Sequence, residues 1–379
     1  MIIEDVSRTI TFISSNFPLL IFVLTLTGVM IGKFKYKTSI LASLEKIAFE
    51  QEKNRREQKQ EEFKKSITNR YIELGNSLLN VSNLEVAKTE FENAIKIDPL
   101  NTDAQLGLIK SEIFYSTKNG IYNAEVSRKK IELILEEKPS DPHACSFLGD
   151  VYNSLFTDEH ADIALELYNK AISFDDKIAT AYFGIGSIND RRGKLDDALS
   201  WYTKAYNLSQ WNPFYANSIA YQCLQRKQYK EAVKKYELIL RIQGDFIIPY
   251  YNISNCYRIL GNFEIAHSYL LCLLDLLENN KITSLNYNRG AWFYNVYSEN
   301  ILINNIEEKK CWAYYGMALT NYLLDDNVNT NKYIEQVKLL QIQEVEWIKI
   351  IVRYEIDLLI NEQPQLKSKL DHYKIDILR

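Results

Sequence analysis

Residues 70–99, RYIELGNSLLNVSNLEVAKTEFENAIKIDP, decide the fold of this chain. Within them Ala87 follows Gly75 by 12 residues, Phe91 comes 4 residues later, and Pro99 closes the stretch. None of these four side chains is chemically reactive. Whether they mark a functional site or helix packing therefore depends on whether the spacing recurs.

The spacing does recur, and at a fixed period. The position of Ala87 returns in later alanines that follow one another at intervals of 34 residues: Ala164, Ala198, Ala232 and Ala266. Gly193 and Gly261 stand two such periods apart, where a turn between two helices is expected. This period indicates a stacked helical repeat, because one helix pair cannot bury its apolar face alone.

The period and the quoted stretch resemble the tetratricopeptide repeat family. Residues 70–99 match its pattern at Tyr71, Leu74, Gly75, Ala87, Phe91, Ala94 and Pro99. The resemblance implies two antiparallel helices per unit, with the first helix of each unit lining a concave surface. The predicted fold class is all-α: a single N-terminal transmembrane helix, a helical stalk, and an α-solenoid of about six to seven helix pairs with C-terminal capping helices.

Composition divides the chain into segments. The predicted segments are an N-terminal tail (1–8), a transmembrane helix (9–32), a charged helical stalk (33–66), the repeat array (67–278), and degenerate repeat-like helices with a C-terminal cap (279–379). The stalk has interspersed charges of both signs, which predicts a solvated helix. A short coiled coil and a helix lying on a membrane surface are its alternatives.

Residues 9–32 contain no charged side chain, and about 24 residues suffice to cross the roughly 30 Å hydrocarbon layer. A cleaved signal peptide is the alternative, although no A-x-A cleavage site follows. Lysines directly after the span predict that the N-terminus is outside and the main domain cytoplasmic. Gly28 and Gly32 form a GxxxG, which would allow a homodimer through the span.

The predicted working surface is the concave face of the array. Helical periodicity selects the residues expected to point inward: Asn76, Phe183, Asn217, Tyr221, Tyr251, Asn255 and Arg258. Asp190 and Arg191 lie near the edge of the same face. Amides can pair with a peptide backbone and aromatic rings supply contact area, so the expected ligand is an extended or helical peptide of a partner protein.

No motif in the chain predicts catalysis. The five cysteines form no CxxC pair, and no P-loop, GxGxxG, GxSxG or HExxH is present. The DEHAD stretch at 158–162 is interpreted as a solvated loop rather than a metal site. A formal net charge of −4 gives no support for nucleic-acid binding. The chain is therefore predicted not to be an enzyme, and neither a cofactor nor a metal is expected.

These patterns predict a membrane-tethered cytoplasmic scaffold or adaptor that binds a partner protein or peptide in its groove. A structural assembly subunit of a larger membrane complex is the alternative. A further alternative is an enzyme with its site in residues 279–379. Its candidates Arg289, Trp292 and Tyr294 form no recognisable acid–base set.

Overall fold

The computed structural model describes residues 34–80, 83–118, 123–155, 157–210, 212–279, 306–340 and 346–377. Every regular element in these ranges is helical, which confirms the all-α solenoid class. The helices in chain order are α1 (Phe34–Asn80), α2 (Leu84–Ile97), α3 (Thr102–Lys118), α4 (Ala124–Glu137), α5 (Pro142–Asn153), α6 (Asp158–Phe174), α7 (Ala179–Arg191), α8 (Leu195–Leu208), α9 (Pro213–Gln225), α10 (Tyr229–Ile242), α11 (Ile247–Ile259), α12 (Phe263–Glu278), α13 (Ile306–Leu323), α14 (Asn327–Leu339), α15 (Glu346–Glu362) and α16 (Lys367–Ile377).

The chain divides into two compact units, Met1–Asn69 and Arg70–Arg379. In the described part of the first unit, α1 carries charges of both signs, and Arg56 Nε donates to Glu52 Oε1 at 3.0 Å. Exposed pairs of this kind each contribute little to helix stability. The role of this part of α1, stalk or coiled coil, stays a prediction.

The predicted transmembrane helix, residues 9–32, lies outside the described residues, as do Gly28 and Gly32 within it. Among the helices of the described ranges, none is long and apolar enough to cross a bilayer. This finding contradicts the predicted localisation, a single-pass membrane protein with its N-terminus outside and its main domain cytoplasmic. Membrane tethering is therefore no part of the function proposed below.

Glycine–aromatic contacts hold the helix pairs together. Phe91 is fully buried, and a Cβ placed on Gly75 would lie 2.8 Å from its Cζ atom. A Cβ on Gly107, on the first helix of the next repeat, would clash with the same ring. The Phe91 ring thus needs a small residue in its own repeat and in the following one. The small residues of the 70–99 stretch are packing residues.

Local signals fix where the helices begin. Asp141 caps α5 by accepting from the Ala144 amide at 2.9 Å, and Thr157 caps α6 by accepting from the His160 amide at 3.2 Å. The 158–162 stretch, interpreted from the sequence as a loop, instead forms the first turn of α6. Its acidic residues suit that place, since carboxylates stabilise the positive end of a helix dipole.

The C-terminal helices depart from the repeat. Helices α13 and α14 still form an antiparallel pair, but α15 packs against the first helices α11 and α13. Its apolar stripe is buried there: Ile348, Val352, Ile356 and Leu359. The predicted capping helix therefore covers the face on which the binding residues were predicted.

Candidate partner-binding surface

Equivalent positions on successive first helices form one row of side chains. Tyr221 follows the small residue Ala220 in α9, and Asn255 follows Ser254 in α11 one period later. By the same rule Asp150 follows Gly149 in α5. The exposure of these side chains changes along the row, and this change separates the row into two parts.

Three predicted binding residues remain accessible. Asn76 in α1 is exposed, Asn217 in α9 is half-buried, and Tyr221 in α9 is 40% exposed. The Asn217 Oδ1 atom is buried and has no hydrogen-bond partner among the described residues. An unpaired buried acceptor is costly, which makes Asn217 a candidate for a ligand-dependent hydrogen bond.

Phe183 lies elsewhere. Its side chain is only 8% exposed, and its ring centroid is 5.2 Å from that of Tyr202 and 5.1 Å from that of Tyr215. These distances are typical of aromatic packing in a core. Phe183 therefore joins α7 to α8 and α9, and a partner could reach it only if the helices separated.

Three further predicted residues are covered by the chain itself. Tyr251, Asn255 and Arg258 in α11 are 0%, 8% and 1% exposed. We call these three residues the closed row. Glu355 of α15 lies on them, since its Oε2 atom accepts from the Tyr251 hydroxyl at 2.8 Å and from Arg258 Nη2 at 3.3 Å. The structure thus places them in an intramolecular interface.

Two charged residues of the row were missed in the sequence. Lys110 in α3 lies 34 residues after Asn76, and Asp150 occupies the row position of α5. The period could have found both, but the second repeat, about residues 102–141, is irregular: 40 residues instead of 34 separate Pro99 from Pro139. Both side chains are half-buried. We call the accessible inner-face residues of the first helices the open row: Asn76, Lys110, Asp150, Asp190, Asn217 and Tyr221.

Burial controls the charge of Asp150. Its carboxylate accepts from the Tyr168 hydroxyl at 2.8 Å, and burial raises its pKa from 3.8 to about 7. Lys110 partly opposes that shift electrostatically. The Lys110 ammonium lies 5.3 Å from the centre of the Phe147 ring, and burial lowers its pKa. Two opposite charges thus stand on neighbouring first helices, each with part of its hydration removed.

The row continues through α7. Asp190 is half-buried and accepts from the Tyr202 hydroxyl at 3.4 Å, while its charge acts on the Tyr221 hydroxyl of α9. Arg191 Nη1 donates to the Asn153 carbonyl at 3.1 Å and so joins α7 to α5. Tyr202 and Tyr168 each belong to an outer helix. The same aromatic residues that pack the units therefore also hold the open-row carboxylates in place.

Elsewhere in the second compact unit, Arg70–Arg379, the described surface offers fewer groups that could bind a ligand. A depression of about 550 Å³ lies at the turn between α9 and α10, lined by Lys227, Gln228, Tyr229, Lys230, Glu231, Lys234 and Leu260. Within the described ranges, no three His, Cys, Asp or Glu side chains are grouped to hold a metal ion. The enzyme candidates Arg289, Trp292 and Tyr294 lie outside the described residues.

Paired, stacked helices with a row of accessible polar and aromatic side chains on the first helices define an α-helical repeat protein. Residues 153–214, from the end of α5 to the start of α9, match the tetratricopeptide repeat model. This match supports the tetratricopeptide repeat family, whose members bind other proteins.

One curated relative is similar over part of the array. RNA polymerase-associated protein CTR9 of Caenorhabditis elegans is 26% identical over 173 residues, which cover 41% of this chain. The match spans only 15% of the length of CTR9. The name of that protein describes association with RNA polymerase.

Several solved structures are similar to parts of this chain. The Cut9–Hcn1 hetero-tetramer of the APC/C matches with a TM-score of 0.50 and 14% identity, covering 78% of this chain and 54% of the compared one. Pseudomonas aeruginosa pilF matches with a TM-score of 0.40 and 15% identity, covering 76% and 99%. YrrB, a TPR protein described as having an unusual peptide-binding site, matches with a TM-score of 0.39 and 15% identity over 56% and 92%.

Proposed function

We propose that this chain is a non-catalytic scaffold whose open row binds a segment of a partner protein. The observation that supports this proposal is the accessibility of Tyr221, which is 40% exposed although the equivalent Asn255 is 8% exposed. Tyrosine is the kind of residue that dominates protein interfaces, because it buries a large area at a low entropy cost. The ligand is an extended or helical peptide segment.

The polar residues of the open row would set specificity rather than most of the affinity. Asn76 and Asn217 can form hydrogen bonds with peptide N–H and C=O groups. Lys110 and Asp150 can form ion pairs with charged side chains of the peptide. Because the row carries both signs of charge, a segment with both acidic and basic side chains fits it better than a uniformly charged one. Like-charge contacts would reject wrong partners.

A photo-crosslinking experiment in the native organism tests the proposal. A photoreactive phenylalanine replaces Tyr221 in the full chain, and the matched control replaces Leu238, which is 46% exposed on the outer helix α10. We expect a defined crosslinked partner from position 221 that position 238 does not give. Equal crosslinking from both positions, or from position 238 alone, would place the binding surface elsewhere.

The same experiment separates two kinds of scaffold. A partner recovered at a fixed, stable ratio through purification would indicate a subunit of an assembly. The name of the CTR9 relative, which describes association with RNA polymerase, favours testing this form. A partner captured only by crosslinking would indicate an adaptor.

A further inference from the structure

The closed row differs from the open row in what covers it. Asn255 lies one 34-residue period after Tyr221, and Arg258 shares its helix, yet Arg258 is only 1% exposed. Helix α15 provides the cover. This helix is not the next antiparallel pair of the array, since it lies on first helices rather than beside a second one. It occupies the surface that the repeat pattern assigns to a ligand.

The contact is chemically specific. Arg258 Nη2 donates to Glu355 at 3.3 Å, and the Tyr251 hydroxyl donates to the same oxygen at 2.8 Å. Arg258 Nη1 also reaches Ser254 Oγ at 3.2 Å and Thr320 Oγ1 at 3.4 Å, which connects α11 to α13. One carboxylate from α15 therefore completes a polar site built by α11 and α13.

The C-terminal end of α15 is held by polar contacts as well. Gln363, just after the helix, donates through Nε2 to the carbonyls of Arg258 at 2.8 Å and Ile259 at 2.7 Å, which satisfies the end of α11. Lys227 Nζ lies 2.6 Å from Glu362 Oε1, although the lysine is mostly exposed. The apolar stripe of α15, which precedes these contacts, is buried as well.

A buried ion pair of this kind is poor evidence for stability alone. Well-packed apolar residues could fill the same space at equal or lower cost, because the desolvation of both charges offsets their attraction. What the pair does provide is selectivity for one carboxylate at one position of a helix. An empty closed row would leave Arg258 and Tyr251 without their acceptor, so an occupant is needed.

We infer that the closed row is a second binding site, separate from the open row, and that α15 is its resident intramolecular ligand. Its ligand class is an amphipathic helix with a carboxylate within its apolar stripe. The occupant that replaces α15 is a partner helix with this chemistry. The inference is argued from the contacts of α15 with α11 and α13 and does not depend on a partner binding at the open row.

A labelled peptide with the sequence of residues 346–362 tests the inference on the full chain. The receptors are the wild type and Val352→Asp, which weakens the chain's own α15 because Val352 is fully buried. Fluorescence anisotropy should show binding to the variant at least tenfold tighter than to the wild type. The matched control peptide, with Glu355→Lys, should bind the variant at least tenfold more weakly. Leu238→Ala, on the exposed side of the outer helix α10, should leave peptide binding unchanged.

Hydrogen exchange on the wild type keeps the test independent of any variant. If α15 is a ligand, its amides should exchange through local opening while α11 and α13 stay protected. The inference is overturned if α15 exchanges only together with α11 and α13, as a permanent part of the core would. It is also overturned if a folded Val352→Asp variant, with α11 and α13 still protected, does not bind the peptide.

Discussion

Arg258 and Glu355 lie 97 residues apart in the chain, yet Arg258 Nη2 is 3.3 Å from Glu355 Oε2. Both side chains are nearly excluded from solvent, at 1% and 9% exposed. This pair joins the α11 face of the array to the last long helix. It explains why three residues predicted to contact a partner instead contact the chain itself.

The pair predicts an asymmetric mutational response. Arg258→Ala should lower the free energy of unfolding by about 3–5 kcal/mol, because it leaves Glu355 buried without its counter-charge. The double variant Arg258→Met with Glu355→Leu should cost less than either single change, since it removes both charges. Urea unfolding of Arg258→Met, Glu355→Leu and the double variant, each compared with the wild type, measures this. Additive losses would mean that the two residues do not act as a pair.

The glycines of the array predict a packing effect. Gly149→Ala should lower stability by a net of about 1–2 kcal/mol, because overpacking outweighs the better helix propensity of alanine. The new Cβ would lie 2.8 Å from Tyr168 Cε1, and that ring is held by Asp150. Gly244→Ala is the matched control, since its nearest atom is 3.6 Å away. Thermal unfolding should change little for the control.

Asp150 predicts a pH dependence of stability. Its pKa rises from 3.8 to about 7 on folding, so the folded protein holds the proton between these values while the unfolded chain releases it. The free energy of unfolding should therefore fall as the pH rises through this window, by at most about 1.4 kcal/mol per pH unit.

Asp150→Asn isolates that contribution, because asparagine can still accept from the Tyr168 hydroxyl but does not titrate. Denaturant unfolding of both proteins between pH 4 and about 7 gives the difference. The wild type should lose stability relative to the variant as the pH rises. A difference that stays constant across the window would show that Asp150 titrates in the folded protein as it does in the unfolded chain.

The open row predicts a loss of binding without a loss of folding. Tyr221→Ala should weaken partner binding by about 2 kcal/mol or more, roughly thirtyfold, if the ring is an interface anchor. Leu238→Ala on the outer helix α10 is the control and should bind normally. Isothermal titration calorimetry with the purified partner that the crosslinking experiment identifies measures the affinity. Circular dichroism checks that each variant keeps its helicity. Equal affinity of both variants would remove Tyr221 from the interface.

Much of the array could be predicted from the sequence because its decisive contacts are local. The alanines from Ala164 to Ala266 recur every 34 residues, and each packs within its own unit or against the next. Lys110 and Asp150 could also have been placed by this period. They were missed because the second repeat, about residues 102–141, is longer than the 34-residue period, not because the signal was absent.

The surface against which α15 packs could not be predicted in this way. Its apolar stripe through Ile348, Val352 and Ile356 fits equally well against the end of the array or across its first helices. Glu355 on that stripe was a signal for a buried cation, but the sequence does not say which one. Nothing in the sequence around Arg258 indicated that it contacts a helix of its own chain rather than a ligand.

The sequence by itself determined the helix pairs and their stacking, since a small residue is needed wherever an aromatic ring such as Tyr168 fills the space between two units. Only the tertiary structure decided which side chains stay open to a partner. Exposure depends on what a distant segment covers, and α15 buries Arg258 while leaving Tyr221 accessible. That choice rests on the non-local contacts of α15, among them those of Glu355 with Tyr251 and Arg258, which no repeat period records.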